Sequence, residues 1–402
     1  MKLISNQISP NLIVTDFFAG FLALFLPKKS RDFSAIFGKH PYFLSNAVRT
    51  ELSLLIKVLD LPKDKKIALP AFTCAVLATP FLTAGYEIEW IDTDENGLIL
   101  YKNFEQISDN ISLVVAIHTF GQEIDLRPFT DLCRKKNIVL LEDCAHFLPS
   151  ASDDFLSDVR LFSFGREKIL SCVSGGGITI NKFKIQNSKF KISEATIKKQ
   201  HEALPKAPIF WQLRYLSHPL IYSLALPIWH MGGKFFPAIF QKIKWLPKAV
   251  TFAEKRGVED LPALTLPKSL QAILHRQVLQ QEKTVLHREK IAKYWQEKLS
   301  KFFNQEQIIC PKNNFRVILK NLTIAQKNTL IKATKSFHLT EWNGNPIAPN
   351  GVDLSAFGYQ SGQCKIAENF SRHHLTLPTN RRVFTADIDR FIAALELKKC
   401  AL

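Results

Sequence analysis

From Lys66 to Asn181 the chain alternates short apolar runs with segments of helical period. Ile67 to Phe72, Tyr86 to Ile91, Ile111 to Ile117, Ile138 to Leu141, Val159 to Phe164 and Gly177 to Ile180 read as strands. Several are apolar on both faces, which parallel strands need when helices cover both sides of the sheet. Between two of them, Asp125-Leu126-Arg127-Pro128 followed by Phe129, Leu132 and Cys133 predicts a capped amphipathic helix, closed on its cationic side by Lys135-Lys136-Asn137. Strand, helix and strand in that order make a parallel crossover unit.

The pattern then changes. Pro205 to Lys248 is interrupted by Pro208, Pro219, Pro227, Pro237 and Pro247, is rich in Phe and Trp, and holds lysines but neither Asp nor Glu. It reads as an insertion with outer bounds near 185–260. After Leu266, Leu270, Ile273, Leu274, Val278 and Leu279 recur at helical spacing with charges opposite as far as Leu299, which predicts one long bridging helix. From about Ile308 a strand at Phe315 to Leu319 and a final helix from Ala386 to Leu397 mark a second domain. The expected organisation is an N-terminal arm with an apolar segment (1–44), a large domain containing the insertion (45–265), and a linking helix with a small C-terminal domain (266–402).

Length and composition fit that plan: 402 residues, 46% hydrophobic and 22% charged, can bury a sizeable core in about two domains. The seven cysteines show no CxxC pair and no Cys/His ligand spacing, which argues against a disulfide framework and a structural zinc, and for a reducing, cytoplasmic setting. Met1 to Pro10 lacks the features of a secretory signal, so no export is expected. The net charge of +17 implies an anion nearby in function. The excess lies at Lys182, Lys184, Lys189, Lys191, Lys198, Lys199 and Lys206, then Lys234, Lys242, Lys244 and Lys248, and is expected to border the insertion and not the candidate site at the strand ends. With no recognition-helix module, RNP-type aromatic pair or zinc spacing, nucleic acid is set aside as a partner. Aromatics interleaved with these lysines, and the apolar Phe17 to Leu26 ahead of Lys28-Lys29, suit peripheral contact with a membrane, at its inner face. A subunit interface or a lid over the site is the other reading, and the sequence leaves both open.

Candidate chemistry gathers at the strand ends. Ligands of such sheets lie beyond the carboxyl ends of the strands, so Asp143 and Ser163 can face one crevice. Lys168 follows in Phe162-Ser163-Phe164-Gly165-Arg166-Glu167-Lys168, ahead of Ser174-Gly175-Gly176-Gly177, a cluster that permits close backbone approach. A lysine held there can be desolvated, which lowers its pKa as Schiff-base chemistry with an aldehyde requires. Singly, Lys168 reads as a surface lysine and Asp143 as a helix cap. Together they match pyridoxal phosphate (PLP), which needs an amine for its aldehyde, a carboxylate at its ring nitrogen and a hydroxyl near its phosphate.

Six stretches carry a resemblance in the right order: Arg49-Thr50-Glu51-Leu52, Leu69-Pro70-Ala71-Phe72-Thr73, His118-Thr119-Phe120-Gly121, Glu142-Asp143-Cys144-Ala145-His146, Ser163-Phe164 to Lys168, and Leu377-Pro378-Thr379-Asn380. From about Asn46 to Ile392, the insertion aside, the sequence resembles the DegT/DnrJ/StrS family of PLP-dependent sugar aminotransferases. The resemblance implies an α/β protein of PLP-transferase fold type I, with a mostly parallel seven-stranded sheet flanked by helices and a smaller C-terminal α+β domain. It also implies a homodimer that transfers an amino group from L-glutamate to a nucleotide-linked keto sugar in surface-polysaccharide or related glycan biosynthesis. By residue, it makes Lys168 the Schiff-base lysine, sets Asp143 on the pyridine nitrogen and His146 by the ring oxygen, and gives the phosphate to Thr50 and Ser163. Lys168 and Asp143 are the implied catalytic pair.

Three departures stand out. Cys74 takes the place where the family puts an aromatic on the ring, Glu51 follows Thr50 instead of a small residue, and Leu264 to Lys268 replaces the Gly-Tyr-Asn-Tyr-Arg loop that reaches the partner's phosphate, with Lys268 in its stead. Two rival functions follow: a PLP-dependent sugar dehydratase, disfavoured because such relatives replace the lysine by His, and a non-catalytic membrane-surface scaffold that keeps the fold.

Overall fold

A computed structural model describes residues 2–27, 31–151, 155–181, 193–339 and 345–397. Lys28, Lys29, Lys182, Lys184, Lys189 and Lys191 lie outside the described residues, as does Cys400.

The central sheet has seven strands: β1 (Tyr42–Ser45), β2 (Lys66–Pro70), β3 (Ile88–Ile91), β4 (Ile111–Ile117), β5 (Val139–Asp143), β6 (Val159–Ser163) and β7 (Gly176–Ile180). Their spatial order is β1-β7-β6-β5-β4-β2-β3, and β7 alone runs against its neighbours. All six expected runs are strands of this sheet. β4, buried at every position, shows why its sequence is continuously apolar. The seventh strand, β1, had no signal of its own: it is a half-buried edge, held by antiparallel pairing of Tyr42–Ser45 with Thr179–Gly176.

The helices α1 (Val14–Phe25), α2 (Val48–Leu59), α3 (Ala75–Thr83) and α4 (Arg127–Lys136) flank this sheet and its N-terminal extension. In α4, Pro128 sits in the first turn, where its missing N–H costs nothing, and Asn137 closes the helix in the left-handed conformation (φ 53°).

The insertion is helical, with α5 (Ile209–Ala225) and α6 (Phe235–Lys242) packed together. α5 continues through Pro219, where the pattern predicts a break. Tyr215, Leu216, Ile221 and Tyr222 are buried around that proline, and their packing offsets the lost backbone bond, which costs about 3 kcal/mol. α1 lies directly on α5: a Cβ on Gly20 would stand 2.4 Å from Leu216 Cδ2. Among the described residues no helix is long and apolar enough to cross a membrane.

In place of one bridging helix there are two, α7 (Lys268–Val278) and α8 (Gln281–Leu299), broken at Leu279-Gln280. The two segments bury their apolar faces in different cores. α7 puts Leu270, Ile273 and Leu274 into the cluster that holds Leu216, while α8 puts Ile291, Trp295 and Leu299 into the core of the small domain. Leu279, counted above as part of the apolar stripe, is 74% exposed at the joint. The small domain carries an antiparallel sheet of β8 (Ile308–Ile309), β9 (Arg316–Leu319) and β10 (Leu375–Pro378), backed by a final helix α9 (Thr385–Glu396).

Candidate active site

β5 and β6 end side by side at a cavity of about 210 Å³ whose lining includes Asp143, His146, Ser163 and Lys168. Alternation along β5 sends the neighbours Glu142 and Asp143 to opposite faces. Asp143 goes to the cavity, where its Oδ1 accepts the Ala145 N–H at 2.7 Å. Burial raises its pKa, and that bond and the nearby Lys168 oppose the rise. Glu142 goes beneath, accepting from Ser157 Oγ (2.7 Å) and Arg160 Nε (2.9 Å) and pairing with His118 Nε2 (3.0 Å). Burial resists its ionisation, yet His118 and Arg160 together hold the carboxyl at about 2.

Lys168 rides a loop stitched at its base. Phe164 N–H donates to Gly175 carbonyl at 2.8 Å, Cys172 N–H to Phe164 carbonyl at 2.9 Å, and Lys168 N–H to Gly165 carbonyl at 3.1 Å. From the arm, Asn11 Nδ2 donates to the Lys168 carbonyl. Burial lowers the pKa of the ammonium against the pull of Glu167 and Asp143, so a larger fraction is neutral amine at a given pH than for an ordinary lysine. The His146 ring stacks between Phe120 (5.7 Å, 13°) and Phe315 (4.8 Å, 21°). Its Nδ1 accepts the Phe120 N–H at 3.3 Å. Burial, then Lys168 and Arg316, push its pKa well below the usual value, so the ring is neutral with its proton on Nε2.

The sequence model of the "DegT/DnrJ/EryC1/StrS aminotransferase family" matches residues 31–205, the stretch that builds this cavity floor. A UDP-4-amino-4,6-dideoxy-N-acetyl-beta-L-altrosamine transaminase of Campylobacter jejuni is 27% identical over 176 residues, 42% of this chain and 45% of that one. A GDP-perosamine synthase of Vibrio cholerae is 26% identical over 151 residues, 36% of this chain and 40% of that one. The chain thus spans less than half the length of these curated relatives. Solved structures share the whole fold: Helicobacter pylori PseC, an aminotransferase involved in the biosynthesis of pseudoaminic acid, superposes with a TM-score of 0.67 over 97% of this chain and 98% of that one at 13% identity. The PMP form of Streptococcus pneumoniae Spr1654 gives 0.69 over 98% of both chains at 15% identity.

Against the family pattern, one expected residue is displaced. Thr50 is fully buried, absent from the cavity lining, and its hydroxyl donates to Asn46 Oδ1 at 2.9 Å. The residues of that turn that reach the cavity are Ala47, Val48 and Arg49. α2 starts at Val48 without a side-chain cap, and its first intrahelical bond of this turn is Glu51 N–H to Ala47 carbonyl (3.3 Å). The N–H groups of Val48, Arg49 and Thr50 therefore have no intrahelical acceptor, which suits an anion. Gly176 makes the arrangement possible, since a Cβ there would lie 2.3 Å from Val48 N.

The departures also find their places. Glu51 is fully buried away from the cavity and bonds His201 Nε2 at 2.7 Å, so it anchors the helix Glu194–Glu202 and leaves the entrance alone. Lys268 donates to Leu26 carbonyl at 2.8 Å and is spent on the end of α1. Cys74 does line the cavity, with its thiol pKa raised by burial.

Arg49, Arg166, Tyr215 and Lys248 also line the cavity, and none was anticipated. Arg49 Nε pairs with Glu254 Oε1 at 2.9 Å and its Nη1 donates to Ala249 carbonyl at 3.2 Å. Arg166 Nη2 donates to Pro247 carbonyl at 2.5 Å, and burial lowers the guanidinium pKa. The Arg49 to Leu52 stretch had pointed to the anion end, but through Thr50 and not through Arg49.

Proposed function

We propose that this chain is a PLP-dependent aminotransferase acting on a keto sugar that carries an anionic, nucleotide-type group, with L-glutamate as amino donor, in glycan biosynthesis. The observation that carries this reading is Lys168, an amine of lowered pKa, beside the buried Asp143 in one cavity. The residues present fit the cofactor at three points: an amine for the aldehyde, a buried carboxylate for the ring nitrogen, and the uncapped start of α2 with Ser163 for the phosphate. When bound, PLP supplies an electrophilic carbon and a ring that accepts an electron pair.

The protein's share of the reaction follows from its own groups. Asp143, desolvated and already bonded once, favours a protonated partner at the ring nitrogen, because a cationic N–H offsets the burial that opposes its charge. Lys168, with its pKa lowered, accepts and returns a proton at the substrate carbon as a general base and acid. His146, neutral and clamped between two aromatic rings, offers a fixed donor. Arg49, Arg166 and Lys248 offer cations for an acceptor's phosphates. The relatives named for UDP- and GDP-sugars support that choice of acceptor.

The test is direct: with PLP added, the protein gains a visible absorbance, and borohydride fixes a pyridoxyl group on Lys168. A colourless protein without that adduct refutes the reading. We also read the enzyme as a homodimer in a reducing, cytoplasmic compartment, which the six free cysteines of the described residues support. Sedimentation that returns a single copy at working concentration removes the dimer.

A further inference from the structure

α1, α5 and α6 form a helical layer that hides one side and leaves the other uncovered. α1 is pressed on α5 at Gly20, and α6 is tied to α5 by Gln241 Nε2 to the Tyr222 hydroxyl at 3.2 Å. The uncovered residues are large and apolar: Phe25 is 74% exposed, Phe210 59%, Phe235 61% and Ile243 63%. Phe25, Phe210 and Ile243 are brought together at one end of the layer, whereas Phe235 follows the turn at the far end of α5, where Gly233 N–H donates to Ile228 carbonyl at 2.9 Å. Lys268 binds the last turn of α1, its neighbour Ser269 donates to Gln212 in the first turns of α5, Phe210 packs edge-on against Trp245 at 5.2 Å, and Arg214 Nη2 donates to Lys244 carbonyl at 2.6 Å.

The charge of this layer is of one sign. Ala203 to Ala253 contains six Lys or Arg and no Asp or Glu. Lys234, Lys242 and Lys244 are exposed beside the apolar residues. The one acid of α1, Asp16, is turned inward to Arg276 Nε at 3.1 Å. A second copy of the chain seated symmetrically on this surface would set cations against cations with no carboxylate to receive them. Exposed aromatic and aliphatic side chains framed by lysines suit instead the boundary between acyl chains and anionic headgroups.

We propose that this surface docks on an anionic lipid bilayer, with Phe25, Phe210 and Ile243 entering the interface and Lys242 and Lys244 meeting the headgroups. Attachment is peripheral, since no helix of the described residues is fit to span. The surface runs into the cavity wall within a few residues, because Lys248 and Val250 line the cavity, so docking sets the mouth of the site beside the membrane. This inference does not rest on the transaminase reading.

The experiment is co-sedimentation of the full chain with vesicles of phosphatidylcholine alone and of equal parts phosphatidylcholine and phosphatidylglycerol, without added PLP. Binding is expected to the mixed vesicles only, and to weaken with salt. Lys242→Ala with Lys244→Ala should lower the partition coefficient roughly tenfold or more, and Phe210→Ser with Ile243→Ser on the order of a hundredfold. Lys283→Ala with Lys301→Ala, exposed elsewhere, should leave it unchanged. Thermal midpoints of all variants guard against misfolding, and the lysine pair tests the same surface without touching its packing. No association with either vesicle, or equal association with both, overturns the proposal. So does a Phe210→Ser, Ile243→Ser protein that binds vesicles normally but loses an oligomer seen in sedimentation velocity, which would make the surface an interface between copies.

Discussion

The floor of the cavity and its outer wall are made by different means. The floor is the end of a buried sheet: Asp143 and Ser163 sit where β5 and β6 stop, and Lys168 hangs on a loop closed by backbone bonds of 2.8 and 2.9 Å. Its charges are held by neighbours next in sequence or next in the sheet. The wall comes from α2 and the insertion: Arg49 of α2, and Arg166 reaching across from the Lys168 loop, line the cavity while bonding the carbonyls of Ala249 and Pro247. Its outer side is apolar and cationic. A rigid floor with desolvated groups suits proton transfer and an electron sink, whereas a wall of cations suits selection of an anionic substrate.

Five measurements sharpen or break this division. Lys168→Ala should cut the glutamate half-reaction by about 10²- to 10⁴-fold. In the unmutated protein, the rate of PLP loading should rise with pH through a midpoint below that of an ordinary lysine, since only the neutral amine attacks and burial lowers this group's pKa. Retained transamination in the alanine variant would take the chemistry away from the floor.

Glu142 beneath the floor is a stability residue. Its folded pKa of about 2 lies below the ordinary 4.5, so its contribution is present above pH 4.5 and is lost as pH falls toward 2. The difference is worth roughly 3 kcal/mol. Glu142→Gln should remove that amount at neutral pH and flatten the dependence of the thermal midpoint on pH across this window. An unchanged acid slope would mean that the His118 and Arg160 bonds do not stabilise the fold.

For the wall, Arg166→Met should raise KM for a phosphorylated acceptor about ten- to a hundredfold, the loss of a charged hydrogen bond, while leaving the glutamate half-reaction intact. Equal losses in both half-reactions would show that Arg166 serves the cofactor and that floor and wall are not separate. The smallest effect is expected at Cys74→Phe, where an added ring face should tighten PLP about three- to tenfold. Weaker binding would show that the cavity needs the small residue.

Six of the seven strands, the crossover helix α4 and the strand-end positions of Asp143 and Ser163 were legible in the chain, because each depends on a local run of side chains, whereas Lys168 stood out only in their company and His146 only through the family resemblance. Strands buried on both faces must be apolar throughout, and groups that follow them immediately have nowhere to go but the carboxyl end of the sheet. Local sequence also showed an insertion free of acids, but not that its helices pass through Pro219 or that they lie on α1.

What only tertiary structure decided is a matter of rotation and of distance along the chain. On a helix one residue is about 100° of turn, and that step separates Arg49 in the cavity from Thr50, whose hydroxyl is bound to Asn46 behind it. No periodicity could tell these neighbours apart, since the cavity they face is made by residues far away in sequence. Arg166 and Pro247 meet across 81 positions and Arg49 and Ala249 across 200. The break at Leu279-Gln280 has the same origin: α7 and α8 share one helical pattern, but each buries its face in a different core. The sequence by itself determined the sheet and the groups at its strand ends, whereas packing between distant segments decided which cations join them.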